Sequence, residues 1–167
     1  MRLAYADPPY LGLAAKFYGH LHPEAHVYDT IEAHAELLAK LATYDGWLYC
    51  LQAPALPQIL PHVVGDYRIG AWMKPFAAWR PNQRIQYTWE PVLFKSARPK
   101  PESKETPSVR DCLMANIAMR KGLRGAKPDA FNRWVLELLG YKDGDEVDDL
   151  FPGTNGMRHA MNQLVLT

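Results

Sequence analysis

Short apolar runs, separated by turn residues, recur along the 167-residue chain. Runs over 3–6, 47–51, 68–73 and 87–94 are rich in aliphatic and aromatic residues, and 146–151 combines three acids with three apolar residues. Runs of this length and composition, bounded by glycine, proline or aspartate, are typical of buried strands. The pattern therefore predicts five strands.

Apolar residues at helical spacing fill the intervals between these runs. Asp29, followed by Glu32 in capping-box spacing, predicts the start of one helix. Three prolines within 53–65 predict a short, irregular helix. Further helices are predicted over 109–117, from Pro128 to a stop at Gly140, and over 157–164. Strands that alternate with helices predict an α/β fold, in which a mostly parallel sheet is covered by helices on both faces.

The composition is that of a globular protein, with 48% hydrophobic and 22% charged residues. We expect one domain over 1–167, with a flexible loop at 95–107, where prolines are mixed with basic residues. No apolar window is long enough to cross a membrane and no leader precedes the first strand, so we expect a cytoplasmic protein. Cys50 and Cys112 lie far apart and predict two buried free thiols.

The most informative chemistry follows the first predicted strand, at Asp7-Pro8-Pro9-Tyr10. Two prolines cannot extend a sheet, because each lacks a backbone donor and has a fixed φ. An acid is therefore held at the carboxyl end of a strand, where open α/β sheets bind ligands. The Asp7 carboxylate and the Pro8 carbonyl can accept hydrogens from an exocyclic amine, and the Tyr10 ring can stack on a flat base. The alternative is a proline-stiffened loop with an incidental acid. Because a carboxylate on a turn at the ligand edge should contribute little to the core, we expect Asp7→Ala to change stability by less than about 1 kcal/mol.

This tetrapeptide resembles the catalytic motif of the amino-methyltransferases, which transfer a methyl group from S-adenosylmethionine to adenine N6 or cytosine N4. Asp-Pro-Pro-Tyr is the form typical of the adenine enzymes. The resemblance implies that Asp7, Pro8, Pro9 and Tyr10 form the catalytic edge.

A glycine-containing turn follows the last predicted strand. Such a turn lets a ligand approach the backbone, and the helix after it offers free N–H groups. Asp149, Phe151 and Gly153 resemble the S-adenosylmethionine-binding motif of the same enzymes, an acid followed by Phe-x-Gly-x-Gly. Asn155 stands where the second glycine is expected, and Gly156 comes one place later. Asparagine is the residue that best replaces glycine at positive φ, so the turn can be kept; a plain strand-to-helix turn is the alternative.

Lys127-Pro128 resembles the motif that precedes the cofactor strand in permuted members, whose lysine lies beside the cofactor. A solvated lysine at a helix start is the alternative. Taken with the two motifs above, the chain resembles small permuted DNA N6-adenine methyltransferase-like proteins from actinobacteria and their phages. The further segments that carry this resemblance are Tyr18-Gly19-His20, 22–26, Lys74-Pro75-Phe76, 87–94 and Gly125-Ala126-Lys127-Pro128.

The resemblance implies a circularly permuted Rossmann-like sheet of the S-adenosylmethionine-dependent methyltransferases, with the catalytic motif before the cofactor motif. It implies S-adenosylmethionine as cofactor. The residues expected to hold the cofactor are Lys127, Pro128, Asp149, Phe151, Gly153, Asn155 and Gly156. The residues expected to contact the substrate are Tyr18, His20, His26 and Phe76.

DNA, rather than RNA, is the expected partner. A net charge of +1 gives no global field toward nucleic acid, so a local patch must bind it. One basic cluster could bind a phosphate backbone, or it could simply be a solvated face; its residues are Arg120, Lys121, Arg124 and Lys127. The oligomeric state stays open, with a homodimer among the options. The spacing of His20, His22 and His26 matches no metal-ligand pattern, so we expect no metal.

The expected activity is methyl transfer to adenine N6 in DNA, in a bacterium or a phage-infected host. The alternative is a degenerate, non-catalytic relative that binds nucleic acid or a partner protein. Asn155 favours this alternative. Methyltransferases usually place an acid at the end of the next strand; residues 165–167 could begin that strand, but the acid is missing, which also favours the alternative. A methyltransferase for cytosine N4 or for RNA adenine is a third option.

Overall fold

The computed structural model describes residues 1–20, 22–76, 81–118 and 126–164. Six strands are β1 (Arg2–Ala6), β2 (Gly46–Cys50), β3 (Arg68–Met73), β4 (Trp89–Lys95), β5 (Cys112–Met114) and β6 (Glu146–Asp149). The helices are α1 (Ala14–Tyr18), α2 (Ile31–Leu41), α3 (Leu56–Ile59), α4 (Asp129–Leu139) and α5 (Gly156–Leu164). Short 3₁₀ segments cover Pro23–Asp29, Ala53–Ala55 and Leu60–His62. The irregular helix predicted over 53–65 is thus confirmed, as is the helix stop at Gly140.

The strands form one sheet in the order β5-β3-β4-β2-β1-β6. β1 lies between β2 and β6 and is parallel to both. β4 is antiparallel to both of its neighbours, and β5 is parallel to β3. β4 therefore runs against the other five strands, which confirms the mostly parallel sheet predicted from the sequence.

The pairing of β1 with β6 joins distant parts of the chain. Tyr5 pairs with Asp149, and the backbone N–H of Leu150 donates to the Tyr5 carbonyl at 2.9 Å. Because the two strands are parallel and in this register, Asp7 and the turn after Asp149 emerge at the same edge of the sheet.

Helices cover both faces of the sheet, and alternate residues of each strand point to opposite faces. On one face, Leu3 and Tyr5 of β1 pack with the buried residues of α4 and α5. On the other, Ala4 and Ala6 pack with α2 and α3. We call these the α4/α5 face and the α2/α3 face.

The start of α2 differs from the sequence prediction. Its N-cap is Thr30, whose Oγ1 accepts the Ala33 N–H at 3.4 Å. The Asp29 carboxylate instead accepts the backbone N–H groups of Ala14 and Ala15 at 2.7 and 2.9 Å. Asp29 therefore caps α1, and the predicted capping box with Glu32 is wrong.

The helix predicted over 109–117 is also wrong. Residues 112–114 form the edge strand β5, because the open side of β3 carries backbone groups that need partners. Leu113 packs against the core while Cys112 and Met114 are exposed, which is the alternation of a strand with one buried face. Cys112 is consequently an exposed thiol, contrary to prediction, whereas Cys50 is buried; neither is in a disulfide.

Residues 96–111 follow an irregular path, as predicted for most of this segment. Arg98 anchors it: one guanidinium nitrogen donates to the Gly140 carbonyl at 2.6 Å, and two bind the Asp145 carboxylate at 2.6 and 3.0 Å. The flexibility of 95–107 stays a prediction. No helix within the described residues has the length and hydropathy needed to cross a membrane.

Candidate functional site

Asp7 lies just beyond β1, where the two prolines end the sheet ladder as their chemistry requires. Its carboxylate receives the ammonium of Lys127, with Nζ at 2.8 Å from both Oδ1 and Oδ2. Lys127 directly precedes Pro128, the N-cap of α4. Its side chain is only 8% exposed and its ammonium lies 5.4 Å from the centre of the Tyr10 ring. The solvated-lysine alternative is therefore wrong.

A second acid and a second lysine extend this contact. Glu90 of β4 accepts the Tyr10 hydroxyl at 2.8 Å, and its carboxylate lies 3.8 Å from Lys127 Nζ. Lys74, just after β3, pairs with the other oxygen of Glu90. Lys127 Nζ also donates to the Tyr10 hydroxyl oxygen at 3.1 Å. We call Asp7, Tyr10, Lys74, Glu90 and Lys127 the Asp7 cluster; its two carboxylates and two ammonium groups cancel in charge.

Burial and mutual charge shift the pKa values of this cluster. Loss of water raises the pKa of Asp7, and the Lys127 charge offsets part of that rise. Loss of water also acts to raise the pKa of Glu90, but Lys127 and Lys74 outweigh it and hold this pKa below its usual value. Burial opposes the charge on Lys127, yet Asp7 and Glu90 raise its pKa well above the ordinary lysine value. Lys127 is therefore a buried, charged ammonium that holds Asp7 in place.

A cavity of about 570 Å³ opens beside Asp7, between the ends of β1 and β6. Two aromatic rings form one wall: Tyr28 and Phe151 meet edge to face at 5.3 Å between ring centroids, on the α2/α3 face. The opposite wall carries Asn132 of α4 with Gly156 and Met157 of α5, on the α4/α5 face. The cavity thus has an aromatic side and a polar side, with Asp7 and Asp149 in its lining.

The turn after β6 keeps the shape expected of a ligand-binding turn. Gly153 and Asn155 both have positive φ, +41° and +57°. Asparagine therefore takes the left-handed conformation that the motif requires, as predicted. The Asn155 side chain is exposed, however, and the residue lies outside the described lining of the cavity.

Asp149 ends β6 and contributes a carboxylate to the cavity. Its Oδ1 accepts the Phe151 backbone N–H at 3.2 Å, which ties the start of the turn to the strand. Burial raises the pKa of Asp149, and the charge of Asp7 adds to this rise.

The structure brings many of the predicted site residues together. Those that line the cavity are Asp7, Pro9, Tyr18, Lys127, Asp149, Phe151, Gly153 and Gly156. Pro8 is buried beneath the site, Tyr10 joins the Asp7 cluster and Pro128 caps α4. Burial raises the pKa of the Tyr18 phenol, and the Asp7 charge raises it further.

Other predicted residues lie apart from the cavity. His20, His26 and Phe76 are exposed and lie outside its described lining, whereas His22 and Glu24 belong to it. Among the residues described, no group of three or more His, Cys, Asp or Glu could hold a metal ion. Some residues named in the sequence analysis lie outside the described ranges: Arg120, Lys121, Arg124, Gly125 and 165–167.

Four residues of the site carried no functional prediction from sequence. Glu90 and Lys74 lie in segments that carry the family resemblance, so their charged side chains could have been predicted from the sequence as site residues. Asn132 interrupts the apolar inner face of α4, and a polar residue at such a position was the signal for it. Tyr28 gave no signal, because its contact with Phe151 spans most of the chain.

No protein-family model matches the chain, and no curated protein matches its sequence. Solved structures do match it in fold. The crystal structure of the M1.HpyAVI–SAM complex covers 98% of this chain and 78% of its own, with a TM-score of 0.61 and 17% identity. The crystal structure of M1.HpyAVI covers 98% of this chain and 75% of its own, with a TM-score of 0.56 and 13% identity. The chain therefore shares a Rossmann-like α/β fold with these structures.

Proposed function

We propose that this protein transfers a methyl group from S-adenosylmethionine to the exocyclic N6 amine of adenine in DNA. One observation carries the proposal: the Asp7 carboxylate faces a cavity whose far side is the positive-φ turn after the adjacent parallel strand β6. An acceptor for an amine and a turn suited to a cofactor thus share one cavity. M1.HpyAVI, which has the same fold, crystallised with SAM, and this likeness supports the choice of cofactor.

The residues present fit S-adenosylmethionine. Its nucleoside suits the aromatic wall of Tyr28 and Phe151, and the Asp149 carboxylate is placed to accept hydroxyl hydrogens. When bound, the cofactor supplies a methyl group on a positively charged sulfur. The acids of the lining favour that positive charge.

Asp7 and the Pro8 carbonyl would accept the two hydrogens of the target amine and so turn the nitrogen lone pair toward the methyl group. Lys127 occupies one lone pair of each Asp7 oxygen, and a carboxylate oxygen has a second one for the substrate. Lys127 thereby fixes the plane of the carboxylate.

Tyr10 would stack on the target base. Its hydroxyl is held from two sides, since it donates to Glu90 and accepts from Lys127. This anchoring limits the freedom of the ring, and the Lys127 ammonium lies over it at 5.4 Å from its centre. A base can reach it only after leaving the duplex stack, so DNA would present a flipped base at the Asp7 edge. We propose Tyr18, His20, His26 and Phe76 as contacts to the DNA around that base.

The order of the motifs supports the further proposal that the sheet is circularly permuted, as in the small DNA adenine methyltransferase-like proteins. The acid that follows β1 precedes in sequence the turn that follows β6, yet the two strands are neighbours.

A second candidate is a non-catalytic binding module. The contact of Lys127 with both oxygens of Asp7 favours it, because an amine must then compete with an ammonium for the same carboxylate. In this case S-adenosylmethionine or DNA would bind without methyl transfer.

The test combines binding with catalysis. Titration calorimetry with S-adenosylmethionine should show saturable binding below about 1 mM. Methyl-labelled cofactor, incubated with unmethylated DNA or RNA, should label DNA adenine at N6, as nucleoside chromatography would show. Asp7→Ala should abolish labelling, whereas Asp143→Ala, at an exposed turn, should not. Binding of cofactor without labelled nucleoside would support the binding module. The absence of saturable cofactor binding would refute the methyltransferase and leave a module that binds nucleic acid or a partner.

A further inference from the structure

The strands β3 and β5 are packed on one face of the sheet only. On the α4/α5 face, Trp72 of β3 and Leu113 of β5 pack against the core. The buried cluster of the α2/α3 face includes residues of β1, β2 and β4 but, among the residues described, none of β3 or β5. The side chains that β3 and β5 direct to the α2/α3 face therefore lie outside its core.

Three large apolar side chains lie side by side on this uncovered part of the sheet. Met73 of β3 pairs with Met114 of β5 on one side and with Trp89 of β4 on the other. Paired residues of neighbouring strands point to the same face, and these side chains are 43%, 68% and 39% exposed. We call Met73, Trp89 and Met114 the Trp89 surface. Adjoining apolar side chains that stay exposed indicate a site for a partner.

The Trp89 surface lies at the same edge of the sheet as Asp7. Met73 and Met114 end β3 and β5, and Trp89 begins the antiparallel strand β4, so all three lie at the edge where β1 ends. Glu90, the residue after Trp89, belongs to the Asp7 cluster. Only β2 separates β4 from β1, so the two strands lie about 10 Å apart, twice the strand spacing. About three nucleotides cover this distance at a rise of about 3.4 Å each.

The chemistry of the surface suits the flat face of a nucleotide base. Trp89 offers an aromatic ring, and bases of any sequence stack on such rings. The exposed ring of Phe76 lies beside the end of β5, because the Phe76 backbone N–H donates to Asn116 Oδ1 at 3.2 Å. Arg84, in the segment that leads to β4, is exposed, and no ion pair is described for it. The neighbouring Glu90 is neutralised by Lys74, so a phosphate here meets a cation and a compensated carboxylate.

Stacking of this kind requires a strand whose bases are unpaired. A duplex stacks its bases on one another and presents mainly phosphates, for which a net charge of +1 gives little general attraction. An adenine in an unpaired strand also reaches the Asp7 edge at a lower cost of unstacking than an adenine in a duplex. An unpaired strand is therefore the partner that matches both the apolar surface and the adjoining site.

We propose that the Trp89 surface stacks on unpaired nucleotides near the target adenine, and that the preferred substrate is single-stranded DNA. This inference rests on the proposed function and names its substrate class. The target adenine enters at Asp7, while a base about three nucleotides away lies on Trp89.

Three labelled oligonucleotides test this assignment: a single strand with one central adenine among thymines, its duplex, and the same single strand with abasic flanks. Fluorescence anisotropy without cofactor measures each affinity, so the result does not depend on methyl transfer. The wild-type protein should bind the intact strand about tenfold more tightly than the duplex or the abasic strand. Trp89→Thr, which keeps a strand-forming residue in β4, should weaken the intact strand by about tenfold and the abasic strand by less than about twofold.

Val64→Ala is the matched control, because Val64 is an exposed apolar residue outside the sheet, and it should change none of these affinities. Thermal unfolding checks each variant. If Trp89→Thr does not fold, Met114→Ser takes its place, and it should weaken the intact strand by about threefold while sparing the abasic strand.

Several outcomes overturn the assignment. Equal weakening of the intact and abasic strands by Trp89→Thr would exclude stacking, and tighter binding of the duplex would exclude the preference for a single strand. If Trp89→Thr turned a dimer into a monomer in sedimentation while strand affinity stayed unchanged, the surface would belong to a second copy of the chain.

Methyl transfer separates this inference from the proposed function. Equal labelling of a dilute single strand by wild type and Trp89→Thr would refute this inference alone. Wild-type protein that shows the expected stacking but labels no adenine would refute the proposed transfer and support the surface as a site for unpaired strands. Wild-type protein that neither binds nor labels any of the three oligonucleotides would refute both.

Discussion

Lys127 Nζ lies 2.8 Å from both carboxylate oxygens of Asp7, across 120 residues of sequence. The acid proposed for catalysis is therefore also one half of a buried ion pair. Removal of the Asp7 carboxylate should therefore lower the stability of the fold, because Lys127 would keep a buried charge without its counterion.

We predict that Asp7 and Lys127 are strongly coupled in stability. Asp7→Asn and Lys127→Met should each lower the free energy of unfolding by about 3 kcal/mol, rather than the small loss expected from sequence. The double variant should lose less than the sum, with a coupling of about 1–3 kcal/mol. Urea unfolding at pH 7 of all four proteins gives this cycle. Additive losses would show that the contact contributes nothing to stability.

Glu90 should tune the acidity of Asp7. Its charge raises the pKa of Asp7, whereas Lys127 lowers it, so Glu90→Gln should lower the Asp7 pKa. If ionised Asp7 accepts the amine, the acid limb of the pH–rate profile of methyl transfer moves to lower pH in Glu90→Gln. Glu32→Gln, at an exposed position of α2, is the matched control and should leave the profile in place. An unmoved acid limb in Glu90→Gln would remove Glu90 from this role.

Asn155 should matter for the conformation of its turn and little for the cofactor. It has a φ of +57° and an exposed side chain outside the described cavity lining. The sequence alone suggests that Asn155→Gly would tighten S-adenosylmethionine binding, but on this geometry we expect a change of less than about twofold. Asn155→Ala should cost about 1 kcal/mol of stability, because alanine is strained at positive φ. Calorimetry and urea unfolding measure the two effects; tighter binding by the glycine variant would place this side chain against the ligand.

Asp145 should support the fold in a pH-dependent way. Its carboxylate, 4% exposed, accepts hydrogen bonds from Arg98, the Met1 ammonium and the Lys142 backbone. The Arg98 hydrogen bonds are the largest cause that holds the pKa of Asp145 below its usual value. Asp145→Asn should therefore lower the free energy of unfolding by about 3 kcal/mol at pH 7.

The stabilisation by Asp145 is present above the unfolded-state pKa of about 4 and is lost as pH falls toward the lower folded-state pKa. The difference between wild type and Asp145→Asn should thus shrink below about pH 4. Urea unfolding at several pH values measures it, with Asp143→Asn, at the neighbouring exposed turn, as control. A difference that stays constant at low pH would show that the charge of Asp145 is unimportant.

The sequence predicted the features that local chemistry determines. Two prolines after an apolar run end β1 just before Asp7, and Gly140 ends α4 with a φ of +70°. The helix predicted over 109–117 is wrong because the helical spacing of its apolar residues carries no information about the neighbouring edge of β3. Thr30 rather than Asp29 caps α2, because the Asp29 carboxylate binds the first backbone N–H groups of α1 instead.

The partners of the site residues could not be read from sequence in the same way. A lysine before a helix is most often solvated, and only the approach of β1, β4 and α4 places Lys127 beside Asp7 and Glu90. Asn132 shows the same limit: its position on α4 signals burial, but only the start of α5 shows what faces it.

The position of β1 between β2 and β6 has a consequence for the order in which the parts of the sheet form. β1 leaves the ribosome before either of its partners and can pair with β2 once residue 50 has been synthesised, but its other side stays unpaired until β6 follows about a hundred residues later. During that interval one edge of β1, a strand that is buried in the folded protein, stays exposed in the nascent chain. Closing so long a loop is also slow. The cavity beside Asp7 can therefore form only after β6 has been made, and factors that shield β1 would protect this protein from aggregation.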